Sequence, residues 1–317
     1  MVKKILTVAL NPSIDETITV EKMVPYGLNR AINSRTDAGG KGINVAVVLK
    51  RFGADVTVTG MAGGDHGRQL IGFLNQADLK AEFFPIDGET RVNYKIFDRS
   101  SLKTTEINAL GPTVPSKLLE LFRQKLWCLV EESDIIVLSG SVPPGIPDDF
   151  YAQCISAAQA KGKKVILDAD GAALAAGIHA VPYAVKPNRK ELESIIGGPL
   201  SGEEGIVSAV KNLLNTGIRI VIVSLGRDGA IVAGDGKIYK VAPCKVEVKS
   251  ATGAGDSMVA ALAYSLATDA TIEEIARITT ATAAATVALD GTQLASLEEA
   301  EHYLSQVQIH KVDSNPF

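Results

Sequence analysis

The sequence predicts an α/β fold: a mostly parallel central sheet covered by helices on both faces, with a small second β-sheet set into it from two places in the chain. Three observations carry this reading. Short runs of β-branched and aliphatic residues recur along the chain, and their near-continuous apolar character suits strands buried on both faces. Segments with helical periodicity separate them, as parallel strands require. Two polar, alternating stretches interrupt that order and have no crossover helix of their own.

The predicted central strands are Lys4–Leu10, Asp55–Met61, Ile135–Ser139, Lys164–Asp168, Ala184–Lys186 and Arg219–Ser224. In Gly42–Phe52, residues Val45, Val48, Leu49 and Phe52 fall on one helical face. Similar periodicity marks Pro115–Glu132, Asp148–Lys161 and Gly202–Asn215. The interrupting stretches give strands at Thr17–Glu21 and Asn33–Thr36, then at Arg91–Phe97 and Thr104–Ile107. The reading is one domain over 1–317, with a discontinuous lid formed by about 12–37 and 89–109. A pair of surface hairpins is the competing arrangement. Ligands are expected at the carboxyl ends of the central strands.

Composition narrows the function classes. The 317 residues are 46% hydrophobic and 21% charged, an ordinary globular balance. With 32 basic and 36 acidic residues the net charge is −4, which argues against nucleic acid as a partner. No run of about 18 apolar residues occurs, so no membrane span is expected. The opening MVKKILTVALNP stops at Asn11-Pro12, too early for a signal peptide. Cys128, Cys154 and Cys244 show no zinc spacing and suit free thiols in a cytoplasmic protein. The four histidines form no triad or metal spacing.

Ser250-Ala251-Thr252-Gly253-Ala254-Gly255-Asp256-Ser257 precedes the apolar helical run Met258–Leu266. A glycine turn opening a helix presents unpaired amides and the positive end of the helix dipole, which suits an anion. Asp256 in the first turn is then a base for a substrate hydroxyl, or else a helix cap. Gly39-Gly40-Lys41-Gly42 enters the helix carrying Asn44 without GxxxxGK[ST] spacing. It is either a close backbone approach to a ligand or a plain reversal of the chain. Asp15 is a candidate acceptor of sugar hydroxyls, or an exposed turn acid. Arg91, Asn93 and Lys95 alternate and so share a face. With Arg30 and Lys41 they could converge on a phosphate carried by the substrate, or form a solvated face. Asn188 and Glu191, three apart after Lys186-Pro187, are a metal-ordering pair or a capping box. Ser224, Gly226 and Gly229 follow a buried strand, where they form a nucleotide loop or a hairpin turn.

Taken in order, these motifs resemble the ribokinase-like (PfkB) carbohydrate kinases. Asp37–Ala46 resembles the family's N-terminal signature, Lys186-Pro187-Asn188 with Glu191 its NxxE motif, Ser224-Leu225-Gly226 with Gly229 its nucleotide-side loop, and Thr252–Ser257 its C-terminal signature. Asn11–Asp15, Gly39–Asn44, Glu89-Thr90-Arg91 and Thr105–Asn108 look like the 1-phosphofructokinase and tagatose-6-phosphate kinase branch, and Thr105–Asn108 followed by Gly111-Pro112 resembles 1-phosphofructokinases more than tagatose-6-phosphate kinases. Ala251-Thr252 departs from the residues usual in that branch before the Gly-Ala-Gly-Asp turn, leaving the turn itself intact.

The resemblance implies a three-layer ribokinase-like sandwich that uses ATP and Mg²⁺. It makes Asp256 the catalytic base and Gly253, Ala254 and Gly255 the anion hole. It implies a sugar-phosphate side built from Asp15, Arg30, Gly39, Gly40, Lys41, Asn44, Arg91, Asn93, Lys95, Asn108 and Ser139. The nucleotide side would comprise Lys186, Asn188, Ser224, Gly226, Gly229 and Thr252, with Asn188 and Glu191 ordering the metal and residues 281–290 packing near the adenine. Fructose 1-phosphate is the expected acceptor and tagatose 6-phosphate the alternative, with a homodimer through the lid. A binding regulator on a dead kinase scaffold is opposed by the retained Asp256, Asn188 and Glu191. A dinucleotide oxidoreductase is opposed by Asn11-Pro12-Ser13, where a GxGxxG would follow the first strand.

Overall fold

The computed structural model describes residues 2–312. In chain order, β1 (Lys4–Ala9) leads to a polar pair, β2 (Ser13–Val20) and β3 (Ala31–Gly39), and then to α1 (Lys41–Arg51). β4 (Asp55–Ala62), α2 (Gly64–Gln76) and β5 (Lys80–Pro85) follow, then a second polar pair, β6 (Arg91–Asp98) and β7 (Lys103–Ile107). The alternating middle runs α3 (Ser116–Glu131), β8 (Ile135–Ser139), α4 (Phe150–Gln159), β9 (Lys164–Asp168), α5 (Gly171–His179), β10 (Ala184–Val185), α6 (Arg189–Ile196), α7 (Gly202–Asn215) and β11 (Ile220–Ser224). The chain closes with β12 (Ala230–Gly234), β13 (Lys237–Val241), α8 (Ala254–Ala267), α9 (Ile272–Val287), α10 (Leu297–Leu304) and β14 (Ile309–Lys311).

The large sheet has the order β14-β13-β12-β11-β10-β9-β8-β1-β4-β5 and is parallel from β11 to β5. Its strands alternate between two cores. Ile135 and Val137 face a cluster with α1, α8 and α9, while Ile136 and Leu138 face one with α3, α4 and α7. Both faces are therefore dry, and the fold is the three-layer sandwich the strand pattern predicts. The sheet extends further than the pattern indicates. β5 lies beyond the predicted strands, and β12, β13 and β14 add an antiparallel edge.

The small sheet has the order β3-β2-β6-β7, with β2 and β6 parallel. Asp15, Asn93 and Asp37 lie side by side across three of its strands. β2 and β3 are longer than predicted, since the polar Ser13–Glu16 and Asp37–Gly39 pair with each other despite their turn-like composition. No helix among the described residues is long and apolar enough to cross a membrane. The three cysteines are free.

Candidate active site

A cavity of about 660 Å³ opens where the small sheet faces the carboxyl ends of the large-sheet strands. Asp15, Arg91, Asn93, Lys95 and Asn108 line it from the small sheet and its exit. Gly40, Lys41, Asn44, Ser139, Thr252, Gly253 and Asp256 line it from the large-sheet side. Residues far apart in sequence thus meet where parallel α/β sheets bind ligands.

Gly253 carries the backbone reversal into α8. Its φ is +79°, and a Cβ there would stand 2.6 Å from Leu294 Cδ2. The amides of Ala254, Gly255 and Asp256 are the first of the helix and have no intrahelical acceptor. Asp256 does not cap this helix: α8 has no side-chain cap. Its Oδ2 instead accepts a 2.7 Å hydrogen bond from Asn44 Nδ2 on α1. The residue is 9% exposed. Burial and then the neighbouring charge of Asp168 push it up to about 6, against the opposing pull of Asn44, Lys41 and Lys186.

Asp168 closes β9 and is 1% exposed. Its Oδ1 lies 3.3 Å from Lys186 Nζ and 3.6 Å from Lys41 Nζ, and its Oδ2 accepts from Ser139 Oγ at 3.2 Å. Burial works against its ionisation, but the two ammonium groups outweigh burial and hold it below the usual carboxylate range. Lys41 also faces Glu191 Oε1 at 3.9 Å. Burial would lower the Lys41 ammonium, but Asp168, Glu191, Asp256 and Asp170 together raise it.

On the small sheet, Lys95 Nζ meets Asp15 Oδ2 at 2.5 Å in a buried pair. Ser13 Oγ and Asn93 Nδ2 donate to Asp15 Oδ1. Asp15 is therefore not an exposed turn acid. Gly39 leaves the room for it, because a Cβ there would fall 2.2 Å from Oδ1. Arg91 donates to the carbonyls of Asn11 and Ala109 at 2.8 Å each, and its Nε is buried without a partner.

Some residues that the sequence pattern groups together separate in three dimensions. Arg30 sits on the loop between β2 and β3, away from the cavity lining, so it does not converge with Lys41 and Arg91. Charge and sequence proximity suggest that convergence, but Arg30 is exposed on that loop. Lys186, Asn188, Ser224, Gly226 and Gly229 do not line the cavity, and Lys186 reaches Asp168 beside it. Asn188 and Glu191 form a capping box on α6: Asn188 Oδ1 accepts from the Glu191 amide, and Glu191 Oε2 accepts from the Asn188 amide. Ser224–Gly229 is a hairpin between β11 and β12, and a Cβ on Gly229 would strike Val241 O at 2.0 Å. Within 281–290, Ala281, Ala284 and Ala285 are buried in the core.

Sequence reasoning does not single out Asp168, Ser141 or Asp170. Asp168 carries a signal, as an acid following the apolar run Val165–Leu167 at the binding edge. Asn11, named in sequence only as part of the Asn11–Asp15 motif, donates to Leu110 O and Ser141 Oγ.

The chain matches the description "pfkB family carbohydrate kinase" over residues 8–300. It is 38% identical to a 1-phosphofructokinase of Xanthomonas campestris pv. campestris, across 87% of this chain and 88% of the relative. It is 33% identical to a 1-phosphofructokinase of Bacillus subtilis, across 97% and 100%. The fold superposes on phosphofructokinase-2 from Escherichia coli, solved in complex with substrates and products, with a TM-score of 0.90 at 32% identity, covering 95% of this chain and 98% of that one. Over nearly its whole length, the chain belongs to the pfkB family of carbohydrate kinases.

Proposed function

We propose that this chain transfers the γ-phosphoryl group of ATP to fructose 1-phosphate, giving fructose 1,6-bisphosphate, with Asp256 as the base. One observation carries the mechanism: Asp256 is buried, leaves its own helix uncapped, and stands on the cavity wall beside the Gly253 turn. An alcohol is a weak nucleophile and must lose its proton as the new bond forms, and a carboxylate raised to about 6 is suited to take it near neutral pH. The amides of Ala254–Asp256 and the ammonium groups of Lys41 and Lys186 would neutralise the transferred group. Arg91, Asn93 and Lys95 would hold the acceptor and its phosphate, with Asp15 and Asn108 taking sugar hydroxyls. The relatives named 1-phosphofructokinase favour fructose 1-phosphate over tagatose 6-phosphate.

ATP would lie over Thr252 and toward Lys186, Asn188, Ser224 and Gly226. Among the described residues there is no cluster of three acidic, histidine or cysteine ligands. That fits Mg²⁺ held mainly by phosphates and water. The half-buried Glu191, whose Oε1 faces Lys41, would orient that water together with Asn188. The metal would supply charge neutralisation between the phosphates. The small sheet would serve as the lid and as a homodimer surface of a cytoplasmic enzyme. The test is ADP release with fructose 1-phosphate, tagatose 6-phosphate, fructose 6-phosphate and the free hexoses. Highest kcat/KM on fructose 1-phosphate supports the assignment, and highest kcat/KM on another acceptor replaces it.

A further inference from the structure

A path of contacts joins the small sheet to the anion-hole turn through Thr292, Leu294 and Ala295, in the segment that follows α9. On the sheet, Arg35 Nε donates to Asp37 Oδ2 at 2.7 Å. The hydroxyl of Thr292 closes a triangle with this pair. It accepts from Arg35 Nη2 at 2.6 Å and donates to Asp37 Oδ2 at 2.6 Å. Asp37 is the direct cross-strand neighbour of Asp15, the buried acid of the cavity. Two residues after Thr292, the buried Leu294 lies against the turn, 2.6 Å from where a Gly253 Cβ would be. Its carbonyl accepts from Arg51 at the end of α1. Next, the Ala295 amide donates to Thr286 Oγ1 at 3.4 Å, and that hydroxyl donates to Ser257 Oγ, adjacent to Asp256, at 2.8 Å.

We propose that Thr292 is a positioning residue that couples the small sheet to the anion-hole turn, so that seating the sugar phosphate on the sheet sets the turn for phosphoryl transfer. The coupling rests on the substrate assignment above. Its physical basis is a short, packed path. The sheet is fixed to Thr292 by two hydrogen bonds with charged partners, and such bonds are the stronger class. Leu294 then fills the space under Gly253, where any displacement must move the turn, because packed interiors transmit strain. A hydroxyl is needed at 292, since it must accept from Arg35 and donate to Asp37 at once. Valine has the shape and can do neither, whereas serine can do both. Arg35 and Asp37 keep each other as partners when the hydroxyl is lost, so the sheet itself stays intact.

The experiment is hydrogen exchange on the full chain, read in peptides covering 91–98 and 250–257, with and without saturating fructose 1-phosphate, alongside steady-state kinetics. Wild type and Thr292→Ser should show slowed exchange in both peptides. Thr292→Val should retain protection in 91–98 and show clearly less than wild-type protection in 250–257, where only direct contact of the acceptor with Asp256 remains. Its kcat should fall by about 10-fold or more, the scale of one lost hydrogen bond to a charged partner, with the KM for fructose 1-phosphate nearly unchanged. Arg35→Gln cuts the same junction from the sheet side and should reproduce the uncoupling, which covers the case of an unstable valine variant. Equal protection of 250–257 in Thr292→Val and wild type overturns the coupling alone. Absence of protection of 91–98 in wild type overturns the substrate assignment, and the coupling with it.

Discussion

Replacing Asp256 with asparagine separates the chemical role of this residue from any structural one, because the two predict opposite changes in stability. The side chain keeps its size and can still accept from Asn44 Nδ2, 2.7 Å away in the native protein. It loses only its basicity and its charge. General-base catalysis is worth about 10²–10⁴-fold, so kcat should fall at least about 10²-fold. The wild-type kcat/KM should rise with pH through about 6 as the carboxylate ionises, and the residual activity of the variant should lack that limb. For stability, the folded-state value lies above the unfolded value of 3.8, so the folded protein disfavours the charge. The contribution is therefore fully present below about 4 and is lost as pH rises through about 6. A rise of about 2 units at 1.36 kcal/mol each amounts to about 3 kcal/mol at pH 8. Unfolding entropy of about 2.1 cal/mol/K per residue over 317 residues converts this to about 4 °C in Tm. Asp256→Asn should thus melt about 4 °C higher at pH 8, with the difference vanishing toward pH 4. Turnover, nucleotide affinity and melting curves at both pH values complete the assay. Near-normal turnover would refute the mechanism, and a lower Tm at pH 8 would show that the carboxylate stabilises the fold instead.

Arg91→Ala should raise the KM for the sugar phosphate by about one to two orders of magnitude, the scale of a lost hydrogen bond to a charged group, and leave the KM for ATP near wild type; a selective loss of ATP affinity would reverse the placement of the two substrates. Glu191→Gln keeps the capping geometry, since glutamine serves at that position too, so Tm should hold while the Mg²⁺ concentration needed for half-maximal rate increases; superimposable Mg²⁺ titrations would leave Glu191 a cap alone. The small sheet and its loops expose Tyr26, Leu28, Ile32, Tyr94 and Ile107, and pairing sheet on sheet would cover them; light scattering at micromolar protein should give twice the chain mass, and a fully active monomer would end that idea.

The parallel strands are legible because burial on both faces forces nearly unbroken apolar runs such as Ile135–Ser139. The antiparallel edge escapes a sequence reading because Ala230–Gly234 and Lys237–Val241 are short and follow a glycine hairpin whose residues also suit a nucleotide loop. α2 escapes because it opens on Gly64 and carries Gly67 and Gly72, which weaken a helical pattern. In the site, Asp256 and the glycine turn stand out because their chemistry is local. Asp168 does not, because what distinguishes it is the meeting of Lys41 and Lys186 around one buried oxygen, which only the fold brings about. Arg30 shows the converse: a cation beside the right strand is not thereby in the cleft.

The small sheet also bears on the order of assembly. β2 and β6 are parallel partners, and the residues they pair, such as Asp15 and Asn93, are 78 positions apart. Parallel neighbours cannot close through a hairpin. β3, α1, β4, α2 and β5 must first lie in place to bring the two ends together, so the loop is closed at an entropic cost that local contacts cannot offset early. The sugar side of the cavity should therefore be the last part to form during refolding and the first to open under mild denaturant. For the same reason the sheet is not a transplantable module: moving it to another kinase requires two exchanges in the chain and preservation of everything between them.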